Sequence, residues 1–136
     1  MTRSFIDTNI LVYADDAFDA RKQTIALDLI VALRSKQEGV LSTQVLQEYF
    51  VTATKKLRLD AAFARQRLAQ FARLELVQPS LDMLLAAVDL HRLHSLSFWD
   101  ALIVQTASAA GCSVVYSEDM QAGVTIAGVR IVNPFT

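Results

Sequence analysis

Short apolar runs alternate with longer stretches of helical periodicity along this chain of 136 residues. Runs of this length that end at a polar or turn residue are typical of buried strands. The runs are residues 4–6, 40–41, 75–77, 113–116 and 129–132. Strands separated by helices join as parallel neighbours, because each crossover returns the chain to the same end of the sheet. We therefore expect one α/β domain over residues 1–136, with a mainly parallel central sheet flanked by helices.

The stretches between these runs place apolar residues at the spacing of helix faces. The stretch 19–36, for example, repeats an apolar residue every fourth position at Ile25, Leu29 and Leu33. Ser97 provides a side-chain cap for the start of the last helix. The predicted helices are 8–14, 19–36, one that begins at Ser42 or Thr43, one that begins at Asp60, 80–91 and 97–110.

Composition limits the classes of protein that this chain can be. It is 53% apolar and 20% charged with a formal net charge of −1, which excludes a disordered chain and argues against a protein that coats DNA or membranes through its overall charge. No apolar run approaches the roughly 20 residues that span a bilayer. Cys112 is the only cysteine, so no internal disulfide is possible. Asp7, Asp15 and Asp16 interrupt the segment where a signal peptide would be apolar, and we expect a cytoplasmic protein without a membrane partner.

Four carboxylates follow the predicted strands or begin the predicted helices. Asp7 comes directly after the first strand, and Asp119 follows the 113–116 strand. Glu48 lies in the first or second turn of the helix after the second strand, and Asp100 lies in the first turn of the last helix. In parallel α/β sheets these positions meet beyond the carboxyl ends of the strands. We therefore expect the four carboxylates to share one crevice.

A crevice with four carboxylates has a predictable chemistry. Mutual repulsion raises the pKa of at least one of the acids, and a divalent cation supplies the missing positive charge. Oxygen ligands favour Mg²⁺ or Mn²⁺ over zinc or copper. Thr8, Asn9 and Ser117 are candidates to hold metal-bound water or orient the ligands. His91 and His94 stand apart from any cysteine, and we do not expect them to bind the metal.

Each carboxylate also has a simpler interpretation. Asp7 can cap the helix that follows it, and Asp100 can form a capping box with Ser97. Glu48 can be a solvated helix residue that the helix dipole favours, and Asp119 can belong to an ordinary turn. These interpretations stay open for each residue, and the prediction of a site depends on the set of four.

The segments that carry these acids resemble the motifs of PIN-domain ribonucleases, specifically VapC-type toxins of prokaryotic toxin–antitoxin pairs. They are residues 5–14, 47–49, 98–103 and 116–120, in the family's order. The resemblance implies a Rossmann-like sheet and Mg²⁺- or Mn²⁺-dependent endonucleolytic cleavage of RNA. It also implies a homodimer and a cognate antitoxin whose C-terminal segment covers the acidic groove. Carried over by position, the acidic catalytic and metal-binding site is Asp7, Glu48, Asp100 and Asp119.

An acidic crevice repels RNA, so the affinity must come from basic residues at its rim. One predicted helical hairpin carries such residues, and they are candidates for phosphate contacts. They are Lys55, Lys56, Arg58, Arg65, Arg67 and Arg73. A solvated, charged helix face explains them equally well.

Three other functions fit parts of the pattern. A receiver-like signalling module needs adjacent acids after the first strand and a late lysine, but Asp7 is followed by Thr8 and no lysine follows Lys56. A phosphohydrolase with an aspartyl nucleophile needs a second aspartate where this chain has Asn9. The more serious alternative is a PIN-fold subunit that binds a partner and cleaves RNA weakly or not at all.

The predicted helices also carry abundant apolar side chains. In the stretch 80–91, Leu81, Leu84, Leu85 and Val88 lie on one side. Elsewhere, apolar residues that exceed the needs of one small core are candidates for an interface. They are Ile25, Leu29, Ile30, Val31, Leu33, Tyr49 and Phe50. Core packing explains the same residues, and both interpretations stay open.

Overall fold

The computed structural model describes residues 2–136 and contains a six-stranded sheet. The strands are β1 (Ser4–Ile6), β2 (Gly39–Ser42), β3 (Glu75–Val77), β4 (Val114–Tyr116), β5 (Thr125–Ile126) and β6 (Val129–Val132). Their spatial order is β3-β2-β1-β4-β6-β5, and every pair is parallel except β5 with β6. The predicted α/β class with a mainly parallel sheet is confirmed.

Six helices connect or cover the strands. They are α1 (Thr8–Ala14), α2 (Ala20–Lys36), α3 (Thr43–Lys55), α4 (Ala61–Phe71), α5 (Leu81–Leu93) and α6 (Phe98–Ala109). Each begins after a residue whose side chain accepts a hydrogen bond from a backbone N–H of the first turn. These N-cap residues satisfy donors that have no partner within the helix. The residues that precede the predicted helices therefore determine where the helices start.

β5, which forms a hairpin with the predicted strand β6, is the one element that the sequence pattern did not predict. Ile126 pairs directly with Val129, so only Ala127 and Gly128 form the turn. Both turn residues have positive φ, 51° and 78°, as a tight hairpin turn requires. The usual signal is Asn-Gly or Asp-Gly, and Ala-Gly after a strand of two residues is too weak a pattern to recognise.

The strand order places a crevice at the centre of the sheet. β1 is flanked by β2 on one side and by β4 on the other, and β1 is buried along its whole length. The chain therefore changes its direction of winding at β1. In open parallel sheets, such a switch point leaves a ligand-binding crevice at the carboxyl ends of the strands.

Most of the apolar residues that were candidates for an interface are not exposed, whereas several apolar side chains of α5 are. Ile30, Leu33 and Tyr49 belong to the buried core, and Ile25 and Leu29 pack against it. Phe50 is half-buried, and Val31 is the only member of the predicted set that is clearly exposed, at 61%. Of the two open interpretations, core packing therefore explains most of these residues.

The exposed apolar side chains of α5 form a stripe, which we call the α5 stripe. Its four members are each between 37% and 70% exposed: Leu81, Leu84, Leu85 and Val88. α5 packs on α6 through Ala87, which is buried, and through the half-buried Leu90. Since α6 occupies the position next to the sheet, α5 buries one narrow side and leaves the stripe in solvent. Within residues 2–136 no helix is both long and apolar enough to cross a membrane.

Candidate active site

A cavity of about 350 Å³ opens at the carboxyl end of the sheet. All four predicted carboxylates line it: Asp7, Glu48, Asp100 and Asp119. We call it the acidic pocket. Its walls come from the β1–α1 junction, α3, the start of α6 and the loop after β4, so residues from distant parts of the sequence meet there.

Asp7 lies at the base of the acidic pocket and is 4% exposed. One carboxylate oxygen accepts a hydrogen bond from the backbone N–H of Thr8 at 2.7 Å, which makes Asp7 the N-cap of α1. The other oxygen accepts bonds from the Ser117 hydroxyl at 2.7 Å and from the Asn9 amide at 3.3 Å. Capping and site formation therefore coexist at Asp7, because different oxygens serve the two roles.

Thr8 and Asn9 connect Asp7 to the other acids. The Thr8 hydroxyl donates to Glu48 Oε2 at 2.7 Å, and the Asn9 side-chain N–H donates to Asp119 Oδ2 at 3.1 Å. The side-chain oxygen of Asn9, Oδ1, accepts a hydrogen bond from the backbone N–H of Glu118 at 3.1 Å. Each predicted supporting residue, Ser117 included, thus contacts at least one predicted ligand.

Asp100 enters the pocket from the first turn of α6. Its backbone N–H donates to the Ser97 hydroxyl at 3.1 Å, which is the capping contact that the sequence predicts. Gln44 joins α3 to the same turn, since its amide donates to Glu48 Oε1 at 3.2 Å and to the Trp99 carbonyl at 3.3 Å. These bonds hold the acids of α3 and α6 at a fixed separation.

The electrostatics show that the carboxylates are mutually destabilising. Burial, with contributions from Asp100 and Glu48, raises the pKa of Asp7 to about 6, against the opposing hydrogen bonds. Burial also raises the pKa of Asp100, and the charges of Asp119 and Glu48 add to that effect. Within the described part of the chain, none of the four acids forms a salt bridge. The pocket therefore favours a cation from outside the protein.

The donor set fits a hard divalent cation. The four acids and their supporting hydroxyl and amide groups offer oxygen ligands, as Mg²⁺ and Mn²⁺ prefer. Among residues 2–136, no group of three or more His, Cys, Asp or Glu residues is arranged closely enough to hold an ion by itself. Mg²⁺ binds proteins through one or two carboxylates and keeps several waters, so an ion held here would need water to complete its coordination.

The loop after β4 is anchored by Glu118. The Glu118 carboxylate accepts a hydrogen bond from the Tyr13 hydroxyl at 2.7 Å and forms an ion pair with Lys22. Its backbone is held by Asn9. These contacts attach the loop to α1 and α2 and leave Asp119 directed at the acidic pocket.

Asp16 also lines the pocket, although the sequence analysis gave it no role there. Asp16 lies two residues beyond the end of α1, so the periodicity of that helix does not point to it. Asp15, its neighbour, instead accepts a hydrogen bond from the buried Tyr49 at 2.5 Å.

The predicted basic residues do not form one surface. Lys56 lines the acidic pocket, while Lys55, Arg58 and Arg65 are exposed on α3, α4 and the turn between them. Arg67 is bound to Asp15 at 3.0 Å and lies over the Phe71 ring at 4.6 Å. It therefore has a structural role, and we remove it from the set of candidate RNA contacts.

Arg73 is also misplaced for RNA binding at this site. It lines a cavity with Gly39 and Glu75, which begin β2 and β3. That cavity lies at the amino end of the sheet, opposite the acidic pocket. Lys56 is thus the predicted basic residue that lies at the pocket itself.

The sequence profile of the PIN domain matches residues 4–123. The chain belongs to the PIN domain family. The match includes all four carboxylates and every residue that supports them. A comparison with curated protein sequences found no match.

Solved structures with the same fold are toxins and toxin–antitoxin complexes. The Mycobacterium tuberculosis toxin VapC20, described as cleaving the sarcin–ricin loop, superposes with a TM-score of 0.65 at 22% identity, over 85% of this chain and 89% of that one. A toxin–antitoxin complex from Klebsiella pneumoniae gives 0.69 at 21% identity, over 96% and 97%. DNA-bound VapBC from Salmonella typhimurium gives 0.66 at 18% identity, over 96% and 97%. At these identities the likeness is one of fold.

Proposed function

We propose that this PIN-domain protein is a divalent-metal-dependent endoribonuclease and the toxin of a toxin–antitoxin pair. The observation that carries the proposal is the acidic pocket, where four carboxylates meet and none of them forms a salt bridge with the described residues. The family match and the likeness to VapC20 support a nuclease. RNA is the proposed substrate, and hydrolysis of its phosphodiester bonds is the proposed reaction.

Asp7 and Asp100 are the proposed principal ligands of Mg²⁺ or Mn²⁺, and Glu48 and Asp119 complete the binding directly or through water. When bound, the ion supplies a water of lowered pKa and stabilises charge on the scissile phosphate. Thr8, Asn9 and Ser117 orient the carboxylates. Lys56, at the same pocket, offers a positive charge to a neighbouring phosphate.

Covalent catalysis is a poorer explanation of the site. Burial raises the pKa of the Cys112 thiol to about 11, which removes it as a nucleophile at neutral pH. His91 and His94 are exposed around the end of α5 and do not line the acidic pocket, although His94 lines a neighbouring cavity with Asp100 and Asp119. The pocket therefore favours direct attack by water. A buried free thiol also fits the reducing cytoplasm that we propose as the place of action.

An antitoxin is the proposed protein partner. The Klebsiella and Salmonella structures are complexes of a toxin-type chain with its partner protein, and this chain covers nearly the full length of the matching chains. We propose that a cognate antitoxin covers the acidic groove and so blocks access of RNA to the carboxylates.

The α5 stripe is the proposed homodimer interface. Its members are spaced as one face of a helix, and exposed apolar stripes of this kind mark protein contacts. Asp82 lies near one end of α5 and Arg92 near the other. A two-fold axis across the stripe pairs α5 with an antiparallel copy of itself and brings Asp82 of one copy towards Arg92 of the other.

Sequencing of RNA ends tests the proposed activity. Purified protein and its Asp7→Asn variant are incubated with RNA in Mg²⁺, Mn²⁺ or a chelator. The proposal predicts discrete new ends with wild type and metal, and none with the chelator or the variant. The absence of cleavage by wild type under all metal conditions would favour the alternative of a PIN-fold subunit that acts only by binding a partner.

A further inference from the structure

A second cavity of about 380 Å³ adjoins the acidic pocket. The two cavities share Glu48 and Thr52 as lining residues. The second cavity is completed by Gln44, Gln47, Val51 and Trp99, which we call the Trp99 shelf. The shelf is apolar where the acidic pocket is charged, and none of the proposed functions uses it.

Two sets of α3 residues, each with a spacing of four, line the two cavities. Glu48, Thr52 and Lys56 follow one another at four-residue steps and line the acidic pocket. Gln47 and Val51 are also four residues apart and line the shelf. Side chains at this spacing lie one above the other on a helix. A chain that crosses α3 therefore meets charge on one side and an apolar surface on the other.

Trp99 presents an aromatic surface at a rigid position. It lies in the first turn of α6, and its side chain is 59% exposed. Its ring contacts Phe98 edge-to-face, with centroids 5.2 Å apart and an angle of 73° between the planes. Exposed aromatic rings on rigid elements are the usual platforms on which proteins stack the bases of single-stranded nucleic acids.

Gln44 provides an independent sign of a ligand at the shelf. It is 6% exposed, and its Oε1 is the one buried side-chain polar atom among residues 2–136 that has no hydrogen-bond partner. The amide orientation is set by its N–H donors, which are bound to Glu48 and to the Trp99 carbonyl. If the amide were flipped, its oxygen would face two acceptors, Glu48 Oε1 and the Trp99 carbonyl oxygen. An unpaired buried acceptor is unfavourable unless a donor completes it.

We propose that the Trp99 shelf binds a nucleobase of the RNA substrate, next to the phosphate held at the acidic pocket. The base stacks on Trp99 against Val51, in the cavity that Gln44 also lines. This inference rests on the proposed RNA cleavage. The shelf is continuous with the carboxylates through Glu48, so one RNA strand can place a base on the shelf and its phosphate at the acidic pocket. For this reason a nucleobase fits the shelf better than an apolar protein surface does.

Fluorescence gives a direct test, because Trp99 is the only tryptophan of the chain. With Ca²⁺ in place of Mg²⁺ to suppress cleavage, a fluorescein-labelled single-stranded RNA is titrated with protein and its anisotropy is recorded. In separate samples the same RNA without label, and ribose 5-phosphate, are added while tryptophan emission is recorded. The proposal predicts saturable quenching by RNA with the Kd that anisotropy gives, and no quenching by ribose 5-phosphate.

Matched variants test the consequence for catalysis. Trp99→Ala should raise KM for RNA about tenfold, the usual loss for one stacked base, and leave kcat nearly unchanged. Trp99→Phe should restore most of the loss. Mn²⁺ affinity should be unchanged in both variants, which excludes a disturbance of neighbouring Asp100. Phe18→Ala is the control, since Phe18 is 96% exposed and lines neither cavity.

The outcomes separate this inference from the proposed function. Wild type could bind and cleave RNA without any change in Trp99 emission, and Trp99→Ala could have the same KM as wild type. That result would overturn the proposal that the shelf binds a base and would leave the proposed nuclease activity intact. Emission that changes with protein concentration in the absence of RNA would assign the shelf to a second copy and also overturn it. The absence of both RNA binding and cleavage in wild type would contradict the nuclease proposal itself.

Discussion

The acidic pocket and the α5 stripe are both open to solvent, but they are built in opposite ways. The pocket takes residues from four separate parts of the sequence, and hydrogen bonds from Thr8, Asn9 and Ser117 connect its acids. The stripe belongs to one helix, spans residues 81–88, and consists of side chains without a polar contact to make. The first kind of feature is suited to a small charged species, and the second is suited to the surface of another protein.

This difference implies that chemistry and assembly can be separated by mutation. The acids lie at the carboxyl end of the sheet, whereas the stripe lies on the side of α5 that faces away from α6. A change at one region should leave the function of the other intact. The predictions that follow test this separation, from the largest expected effect to the smallest.

Asp7→Asn and Asp100→Asn should each reduce RNA cleavage by about a thousandfold, the scale expected when a group that stabilises transition-state charge is lost. Asparagine keeps the shape of aspartate and still accepts the capping bond of Thr8, so the fold should persist. Cleavage rates with Mn²⁺ measure the effect, and light scattering checks that the oligomeric state is unchanged. Full activity of both variants would refute the assignment of these ligands.

The metal-free protein should lose stability as the pH rises from about 4 to 6. Asp7 keeps its proton in the folded state up to about pH 6, whereas the unfolded chain loses it near pH 4. The folded state therefore binds more protons in this window, and the free energy of unfolding falls as the pH rises through it. Above the window the cost of the buried charge is about 3 kcal/mol.

Chemical denaturation in EDTA measures this loss. Asp7→Asn should remove most of the pH dependence and be the more stable protein at about pH 7. Added Mn²⁺ should stabilise wild type and not the variant, since only wild type offers it the buried charge. If the free energy of unfolding depended on pH in the same way in both proteins, ionisation of Asp7 would carry no cost in stability, which would contradict this prediction.

Leu85→Glu should weaken self-association by about thirtyfold, the effect of losing one interface hot spot. The substitution places a charge on the α5 stripe in both copies of the proposed dimer. Sedimentation measures the dimer, and Mn²⁺ binding should be unaffected. Val31→Glu is the matched control, because Val31 is 61% exposed on α2, outside the stripe. Equal dimerisation of both variants would place the interface elsewhere.

Lys56→Glu should weaken RNA binding by about tenfold and reduce its salt dependence, as loss of a phosphate contact does. Lys36→Glu serves as the control, because Lys36 is exposed at the end of α2 and does not line the acidic pocket. Binding is measured by anisotropy at several salt concentrations. If the two variants bind RNA equally, Lys56 makes no specific contact.

The acidic pocket could be predicted from the sequence because residues that follow parallel strands lie at the same edge of the sheet. A carboxylate directly after a parallel strand, or in the first turn of the helix that follows, must lie at the carboxyl end of the sheet. Asp7 satisfies that rule without any knowledge of side-chain contacts, whereas Asp100 begins α6, which follows α5 and not a strand. Helix starts were equally accessible, since capping residues act over three or four positions.

The remaining features depend on what packs against what. Periodicity showed that the α5 leucines share a face, but it does not show that α6 leaves this face uncovered. The ion pair of Arg67 with Asp15 and that of Lys22 with Glu118 join residues far apart in sequence. The sequence does not show which charged residues pair in the fold, so Arg67 was a candidate RNA contact.

The central claim is that Asp7, Glu48, Asp100 and Asp119 hold a divalent ion together, and anomalous diffraction from crystals soaked in Mn²⁺ tests it most directly. The account predicts a manganese peak in the acidic pocket at coordinating distance from Asp7 and Asp100, which disappears in Asp100→Asn crystals. A fully soaked crystal with no peak in the pocket, or with the same peak in the variant, would contradict it.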